Sequence, residues 1–455
     1  MWVDALRAVF FPRSVAVVGA SATKGKLGNT ILLNMISCRF PGKIFPVNPK
    51  AQEILGLPTY PNLTTIPESV DLAVVSLPSQ LVLETVEEAA KKGVRGIIII
   101  SAGFAETRGA AQMETERRIL AIAREAKMAV IGPNCQGVLS TRGKVCAWFG
   151  PIPKHRGQAL FITQSGGLAG TLIEWTNRRH ISLFDTVVSL GNKCCVDEAD
   201  VITYFGSDPD IKLIMCYIEG FKPTRGRAFM ESVIKVCDSK PVVVLKGGRY
   251  TAGVRATITH TGSLAGSDRV FAGAMRQAGV ILTNSIREFI NASRLVMNHS
   301  SLRGPRIAVI TNLGGPGVIT ADLCERFGLE VPPTPEPLKG KLRNRLPSYC
   351  AVGNPIDLAG DPAPERYRAA LEVVYEADTF DGVLIVAAPL TGAERIATDI
   401  IRISQNVPKP TAVCWMDEAS QAAIRPIFEA AGLPVFEMPE DAVRAMAALW
   451  RERRA

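Results

Sequence analysis

His260 is one of only four histidines in the 455-residue sequence, and its surroundings suit chemistry. It stands in KGGRYTAGVRATITHTGSLAGSD, residues 246–268, among Gly247, Gly248, Gly253, Gly262 and Gly266 and the hydroxyl residues Thr257, Thr259, Thr261 and Ser263. An imidazole in a glycine-rich loop can serve as base, metal ligand or nucleophile. No cysteine or carboxylate sits at ligand spacing around it, so no metal site is expected. The preceding apolar run 241–245 (PVVVL) reads as a buried parallel strand. The loop then falls at a strand's carboxyl end, where open α/β sheets bind ligands. Read alone, the histidine could equally be structural or solvated. His155 and His180, in PKHRG and RRH, lack a glycine loop or an evident partner and read as surface residues; His299, in the polar NHSSLRGP, reads as part of a linker.

Four more strand ends carry candidate groups. The strand 159–163 is followed by Gln164-Ser165-Gly166-Gly167 and the helical run LAGTLIEWTNRR. Strand, Ser-Gly-Gly and helix start put free backbone N–H groups and the positive end of a helix dipole at one point, an anion site. The strand 306–310, the turn TNLGGPG with Gly315, Pro316 and Gly317, and the helix VITADLCERFG repeat that logic. Glu219 ends the strand 211–217 in an Ile-Glu-Gly turn. By pattern alone it is either a solvated acid or a functional carboxylate. Gly191, Asn192 and Lys193 end the strand 185–189.

The elements that must hold these groups form a series of strands and helices. Near the N-terminus, strands at 14–18, 44–47, 72–75, 94–100 and 129–131 alternate with helices at 29–36, 81–92 and 114–127. Each strand ends in small or hydroxyl residues: Gly19-Ala20-Ser21, Asn48-Pro49-Lys50, Ser76-Leu77-Pro78, Ser101-Ala102-Gly103 and Gly132-Pro133-Asn134. Together they would line one crevice with backbone N–H groups and side-chain donors, which suits a phosphorylated adenine nucleotide. The first turn is not a clean G-x-G-x-x-G, and Asn48 stands where a dinucleotide enzyme would carry an acid, so a nicotinamide oxidoreductase is disfavoured. The whole reads as an α/β protein of three doubly wound, Rossmann-like and flavodoxin-like, parallel-sheet domains at 1–145, 150–297 and 303–455. The proline- and base-rich stretch 332–347 reads as an exposed connection.

The totals agree. Hydrophobic residues make up 47% and charged residues 21%, as in a globular chain rather than a disordered one. No apolar run reaches 18 residues and the N-terminus lacks a secretory h-region, so a cytoplasmic location without a membrane association is expected. The net charge of +9 is scattered, without the clustered basic and aromatic pattern of a nucleic-acid site. The ten cysteines follow no zinc spacing; Cys135, Cys146, Cys194, Cys195, Cys216, Cys237, Cys324 and Cys414 mostly adjoin apolar residues, as buried reduced thiols would.

THTGSLAGSD, preceded by KPVVVLKGGRYTAG, resembles the phosphohistidine segment of the NDP-forming acyl-CoA synthetases, relatives of succinyl-CoA synthetase. GAS, VNPK, SLPS, SAGF and GPNCQG resemble, in order, that family's CoA-binding domain, and NPIDL with Asp361 resembles another of its turns. The three-domain layout is similar to the α chain of ADP-forming acetyl-CoA synthetase. The resemblance implies that Gly19, Ala20, Ser21, Lys24 and Lys26 contact the CoA phosphates and ribose. Val47, Asn48, Pro49, Lys50, Ser76 and Pro78 would hold the adenine side, and Ser101, Ala102 and Asn134 the pantetheine. It implies that His260 is phosphorylated, that Glu219 hydrogen-bonds it, and that the helices starting at Ser165-Gly166-Gly167 and Gly315-Pro316-Gly317 clasp the phosphate. Gly191, Asn192 and Lys193 would lie near the acyl group. The implied reaction passes from acyl-CoA and phosphate through an acyl phosphate and phosphohistidine to ATP. No Walker loop or ATP-grasp segment is present, so ATP or ADP with Mg is expected on a separate ATP-grasp β subunit in an α2β2-type assembly, the His260 loop swinging to reach it. A non-catalytic CoA-binding regulator of the same fold is the alternative.

Overall fold

The structure, a computed structural model, describes residues 2–261, 267–299, 302–360, 362–407 and 409–451, without the side chains of 258–261 and 451. Contacts divide the chain into two compact units, Met1–Arg178 with Leu183–Ala278, and Arg179–Ser182 with Gly279–Ala455.

The first unit holds two sheets. In the first sheet the strands run Lys43–Val47, Ser14–Val18, Leu72–Val75, Gly96–Ile99 and Ala129–Ile131, all parallel. Every residue of Ser14–Val18, Leu72–Val75 and Gly96–Ile99 is buried, as expected of β-branched runs covered on both faces. The first two strands in sequence lie side by side and the third pairs on the other flank of Ser14–Val18, so the winding direction reverses between Ser14–Val18 and Leu72–Val75. Such a reversal opens a crevice at the carboxyl ends of those two strands.

The second sheet of this unit runs Val242–Lys246, Leu213–Ile218, Ala159–Thr163, Phe184–Ser189, Gly137–Ser140 and Val145–Trp148. The first four are parallel and the last two form an antiparallel hairpin added at the edge. Here the winding reverses between Ala159–Thr163 and Leu213–Ile218. The hairpin follows the last strand of the first sheet in sequence, yet belongs to the second. The helix Leu27–Ser37 is tied to it: Asn34 Nδ2 donates to Trp148 O at 2.7 Å, and Cys38 and Cys146 form a disulfide. Cys146 is therefore not the reduced thiol expected from its apolar setting. The hairpin fold brings two cysteines distant in sequence together, which the local context of either cannot reveal.

The second unit holds a third parallel sheet, Ile356–Asp357, Ile307–Thr311, Gly382–Ala387, Thr411–Trp415 and Val435–Phe436. Tyr367 and Trp415 are the unit's largest fully buried side chains among the described residues. Two expectations fail in this unit. The stretch 332–347 contains the helix Glu336–Arg343, which starts after Pro335 and buries Leu338 and Leu342 at i,i+4 spacing. His299 is no linker residue but the C-terminal cap of the helix Ile286–Asn298; burial pushes its imidazole down to about 4. Among the described residues no helix is long and apolar enough to cross a membrane.

Candidate active site

The first crevice is a cleft of about 740 Å³ at the reversal of the first sheet, lined by Gly19, Ala20, Ser21, Lys26, Val47, Asn48, Pro49 and Ser76. Its floor needs glycine. Gly19 has φ +87°, and a Cβ there would meet Ser76 O at 2.3 Å; a Cβ on Gly28 would meet Gly19 O at 2.0 Å. The helix Leu27–Ser37 begins at this floor without a side-chain cap, leaving its first N–H groups for a ligand. Asn48 braces the wall, donating to Ala20 O at 2.8 Å and accepting from the Lys50 N–H at 2.8 Å. Lys24, Lys50, Pro78, Ser101, Ala102 and Asn134 do not line this cleft. Pro61, Asn62, Leu81 and Glu84 do, and their turn and helix settings carried no sequence signal.

Ser101 and Asn134 belong to a second cluster. The Ser101 hydroxyl accepts from the Leu77 N–H at 3.2 Å, and Asn134 Nδ2 donates to Asn192 Oδ1 at 3.3 Å. Asn192 Nδ2 donates in turn to Glu106 Oε2 at 2.6 Å and Glu116 Oε1 at 2.7 Å. Both carboxylates also accept from the backbone of residues 103–105, so they pin the loop after Gly96–Ile99 to the 191–194 turn. Burial raises the Glu116 pKa, and the bond from Asn192 opposes that rise. The N–H groups of Asn192, Lys193 and Cys194 all donate to protein carbonyls, and a Cβ on Gly191 would meet Pro133 O at 2.3 Å. The N–H groups and side-chain polar atoms of Asn192 and Lys193 are thus engaged inside the protein. This turn is a brace between the 132–135 and 191–195 segments.

The second crevice lies at the reversal of the second sheet and centres on Glu219 and Gly220. Every backbone polar group of this dipeptide is held by a buried side chain. Gln164 Oε1 accepts from the Glu219 N–H at 2.6 Å and the Gly220 N–H at 3.1 Å. Lys246 Nζ donates to Glu219 O at 2.8 Å, and Lys193 Nζ donates to Gly220 O at 2.7 Å. Lys193 is itself paired with Glu198 at 2.8 Å, deep in the protein. The three side chains come from the ends of the three other parallel strands. The Glu219 carboxylate accepts from the Tyr217 hydroxyl at 3.2 Å; burial, then the adjacent carboxylate, raises that phenol's pKa and keeps it a donor. Gly247 makes room: a Cβ there would stand 2.7 Å from the Tyr217 oxygen.

Beside this turn, the helix Gly166–Arg178 starts after Ser165, whose hydroxyl accepts from the Leu168 N–H at 3.3 Å. The N–H groups of Gly166 and Gly167 have no acceptor within their helix. Lys246 ends the strand Val242–Lys246, and the helix Thr251–Thr261 follows within five residues. The expected loop around His260 is therefore helical up to Thr261, since the glycines before it are confined to the turn and Gly253. The backbone of His260 lies in that helix; its side chain, and Gly262, Ser263 and Gly266, lie outside the described residues, as does Asp361.

In the second unit, the helix Gly314–Arg326 begins after Leu313. Gly317 donates its N–H to Leu313 O at 3.0 Å, and Pro316 has no N–H, so the groups available to an anion there belong to Gly314 and Gly315. Gly317 instead permits close packing, a Cβ meeting Thr311 Cγ2 at 2.9 Å.

Comparison with known proteins agrees with this geometry. Residues 13–141 match the model of a CoA binding domain, 156–296 a succinyl-CoA ligase like flavodoxin domain, and 307–411 a ligase-CoA domain. The chain is 36% identical to the α subunit of ADP-forming acetate–CoA ligase II from Pyrococcus furiosus, over 97% of this chain and 96% of that one. The chain belongs to the NDP-forming acyl-CoA synthetases. An Archaeoglobus fulgidus relative, ADP-forming acetate–CoA ligase I, is 37% identical; 97% of this chain matches it but spans only 63% of its length. Among solved structures, acetyl-coenzyme A synthetase 1 of Ca. Korarchaeum cryptofilum, in complex with phosphate and ADP, superposes with a TM-score of 0.92 at 32% identity, covering 99% of this chain and 97% of that one. As an NDP-forming acyl-CoA synthetase, the chain has the CoA-binding, flavodoxin-like and ligase-CoA modules of its family, each on a wholly or mainly parallel sheet.

Proposed function

We propose that this chain is the α part of an ADP-forming acyl-CoA synthetase that interconverts acyl-CoA, phosphate and ADP with carboxylic acid, CoA and ATP. The observation that carries the reading is the Glu219–Gly220 turn, whose backbone is fixed by three buried side chains and which bears a carboxylate at the strand end adjoining the one that leads to His260. CoA fits the first cleft, whose glycine floor and uncapped helix start suit a phosphate, with Gly19, Ala20, Ser21 and Lys26 on the phosphate side and Val47, Asn48, Pro49 and Ser76 toward the base. Lys24, Lys50 and Pro78, which do not line the cleft, are assigned to the same ligand by the family resemblance, as are Ser101, Ala102 and Asn134 to the pantetheine, toward the 191–193 turn.

A phosphate oxygen attacks the thioester carbonyl, the CoA thiolate leaves, and an acyl phosphate forms. His260 attacks its phosphorus and the carboxylate leaves. A carboxylate on one ring nitrogen sets the tautomer and stabilises the cationic, phosphorylated ring, the role assigned to Glu219. The N–H groups at Gly166 and Gly167 stabilise phosphoryl oxygens, and the helix start at Gly314 and Gly315 is proposed for the same kind of contact. ADP or ATP and Mg bind ATP-grasp domains outside this sequence, on a β subunit of an α2β2-type assembly in the cytoplasm.

The test is intact mass after incubation with phosphate, magnesium and a panel of short and aryl acyl-CoAs. One added phosphoryl group, acid-labile and abolished by His260→Ala, is expected, and the acyl-CoA that drives it names the substrate class. No gain with any acyl-CoA, nor with ATP and an ATP-grasp partner, refutes the relay.

A further inference from the structure

Lys246 is only 6% exposed, and among the described residues no carboxylate oxygen lies within 4.0 Å of its ammonium. A buried ammonium without a counter-ion is costly, and such groups are normally paired. Its neighbours do not supply the missing charge. Lys246 Nζ donates to the carbonyls of Glu219 and Gly247 and sits 5.6 Å from the Phe271 ring centroid. Asp268 is held bidentately by Nε and Nη2 of the Arg249 guanidinium, at 2.8 and 3.1 Å. Lys193, the other buried cation at this turn, is neutralised by Glu198. Desolvation pulls the Lys246 pKa down, and the Asp268 and Glu219 charges oppose it.

A second observation points the same way. Gln164, 5% exposed, spends its Oε1 on the Glu219 and Gly220 N–H groups, while its Nε2 is buried with no hydrogen-bond partner. A buried amide donor left open beside a helix start and an unpaired ammonium is a site lacking its acceptor. Acceptor and negative charge are both supplied by one ligand class, a phosphate or phosphoryl group.

We propose that Lys246 is the resident counter-charge of the phosphoryl group handled at this turn, with the Gln164 Nε2 group as a second donor beside the N-terminus of the helix Gly166–Arg178. The proposal rests on the phosphoryl-relay reading for its substrate, but not for the anion site itself. Backbone N–H groups orient an anion; the ammonium gives the site its charge and makes its affinity depend on one residue.

The experiment measures the thermal shift of the full chain against inorganic phosphate, with CoA as a separate ligand, for wild type, Lys246→Met and Lys246→Arg. Methionine keeps the length and removes the charge. Expected is a phosphate-dependent stabilisation of wild type, a requirement for at least tenfold more phosphate in Lys246→Met, near wild-type behaviour in Lys246→Arg, and an unchanged CoA shift in all three. Should Lys246→Met not fold, Gln164→Glu carries the comparison: it keeps the acceptor for both N–H groups, replaces the open donor with a charge, and weakens phosphate by the same order. An equal phosphate response in wild type and these variants, or none in wild type, overturns the proposal. Mass labelling separates it from the relay. A phosphohistidine with no dependence of phosphate binding on Lys246 leaves the relay standing and removes this inference, whereas Lys246-dependent phosphate binding without a label does the reverse.

Discussion

Residues 163–167 in the first unit and 311–315 in the second are built alike and finished differently. Each parallel strand ends in a threonine whose hydroxyl accepts from the N–H two residues on and donates to the carbonyl of that same residue. An amide side chain follows, Gln164 or Asn312, and reaches across the sheet's reversal to the neighbouring strand end; two glycines then open a helix. Asn312 closes its crevice completely. It donates to Gly360 O and Ala388 O and accepts from the Ala388 N–H and the Tyr367 hydroxyl. Gln164 holds a dipeptide that presents a carboxylate and leaves its own Nε2 open. One frame thus serves as a neutral lock in one sheet and as a charged, incompletely satisfied site in the other. Polar satisfaction separates the two amide side chains, because an unmet group costs stability that a ligand can return.

The comparison breaks first at the amide and the acid. Asn312→Leu strips four hydrogen bonds and should cost about 3 kcal/mol, chiefly by removing the acceptor of the Ala388 N–H and the donor to two carbonyls, read as a lower urea midpoint of the full chain. Glu219→Gln should leave that midpoint nearly in place but slow phosphohistidine formation roughly 10- to 100-fold, the equivalent of losing one charge-assisted bond; an unaltered rate would make Glu219 structural too.

Acid sharpens the contrast. His299, in the second unit, has its pKa pushed down by burial to about 4, against about 6.5 in an unfolded chain. Between those values the unfolded chain takes up a proton that the folded one refuses, so the stability His299 contributes is whole above pH 6.5 and drains away as pH falls toward 4. Unfolding free energies at pH 7 and pH 4.5 should differ by about 2 kcal/mol less in His299→Asn than in wild type.

Gln164→Asn, one methylene short, should cost about 1 kcal/mol and lower the phosphorylation rate less than tenfold. The smallest effect is expected from Gly167→Ala and Gly315→Ala. A Cβ at either position meets nothing within 4 Å, so each should shift stability by no more than about 1 kcal/mol, toward stabilisation from helix propensity. Melting temperatures that fall sharply for one of them would show that the two helix starts are not equivalent.

Much of this was legible in the sequence. β-branched runs followed by small residues marked the parallel strands, since both features are local. The strand ends Gly19, Ser76, Gln164 and Glu219 are readable for the same reason, although the glycine-rich stretch around His260 reads as a loop where the helix Thr251–Thr261 stands. What escaped depends on distant partners. Nothing near Lys193 or Lys246 says that both ammonium groups end on one dipeptide. The commitment of Asn192 to Glu106 and Glu116 spans more than seventy positions and left no local trace. The Cys38–Cys146 disulfide, across a separation of 108, was hidden likewise.

The edge hairpin has a consequence for how the chain is made. Gly137–Ser140 pairs on one side with Val145–Trp148 and on the other with Phe184–Ser189. On a ribosome the first sheet is complete by Ile131, but the open flank of the hairpin waits for a strand roughly 50 residues further on, about 3–10 s at ordinary elongation rates. Through that interval the bare strand edge of the unfinished second sheet follows directly on the completed first one, the condition under which strands pair with the wrong neighbour. The vulnerable moment in this protein's biogenesis is thus the pause between two modules, after the first has closed and before the second can cover its edge.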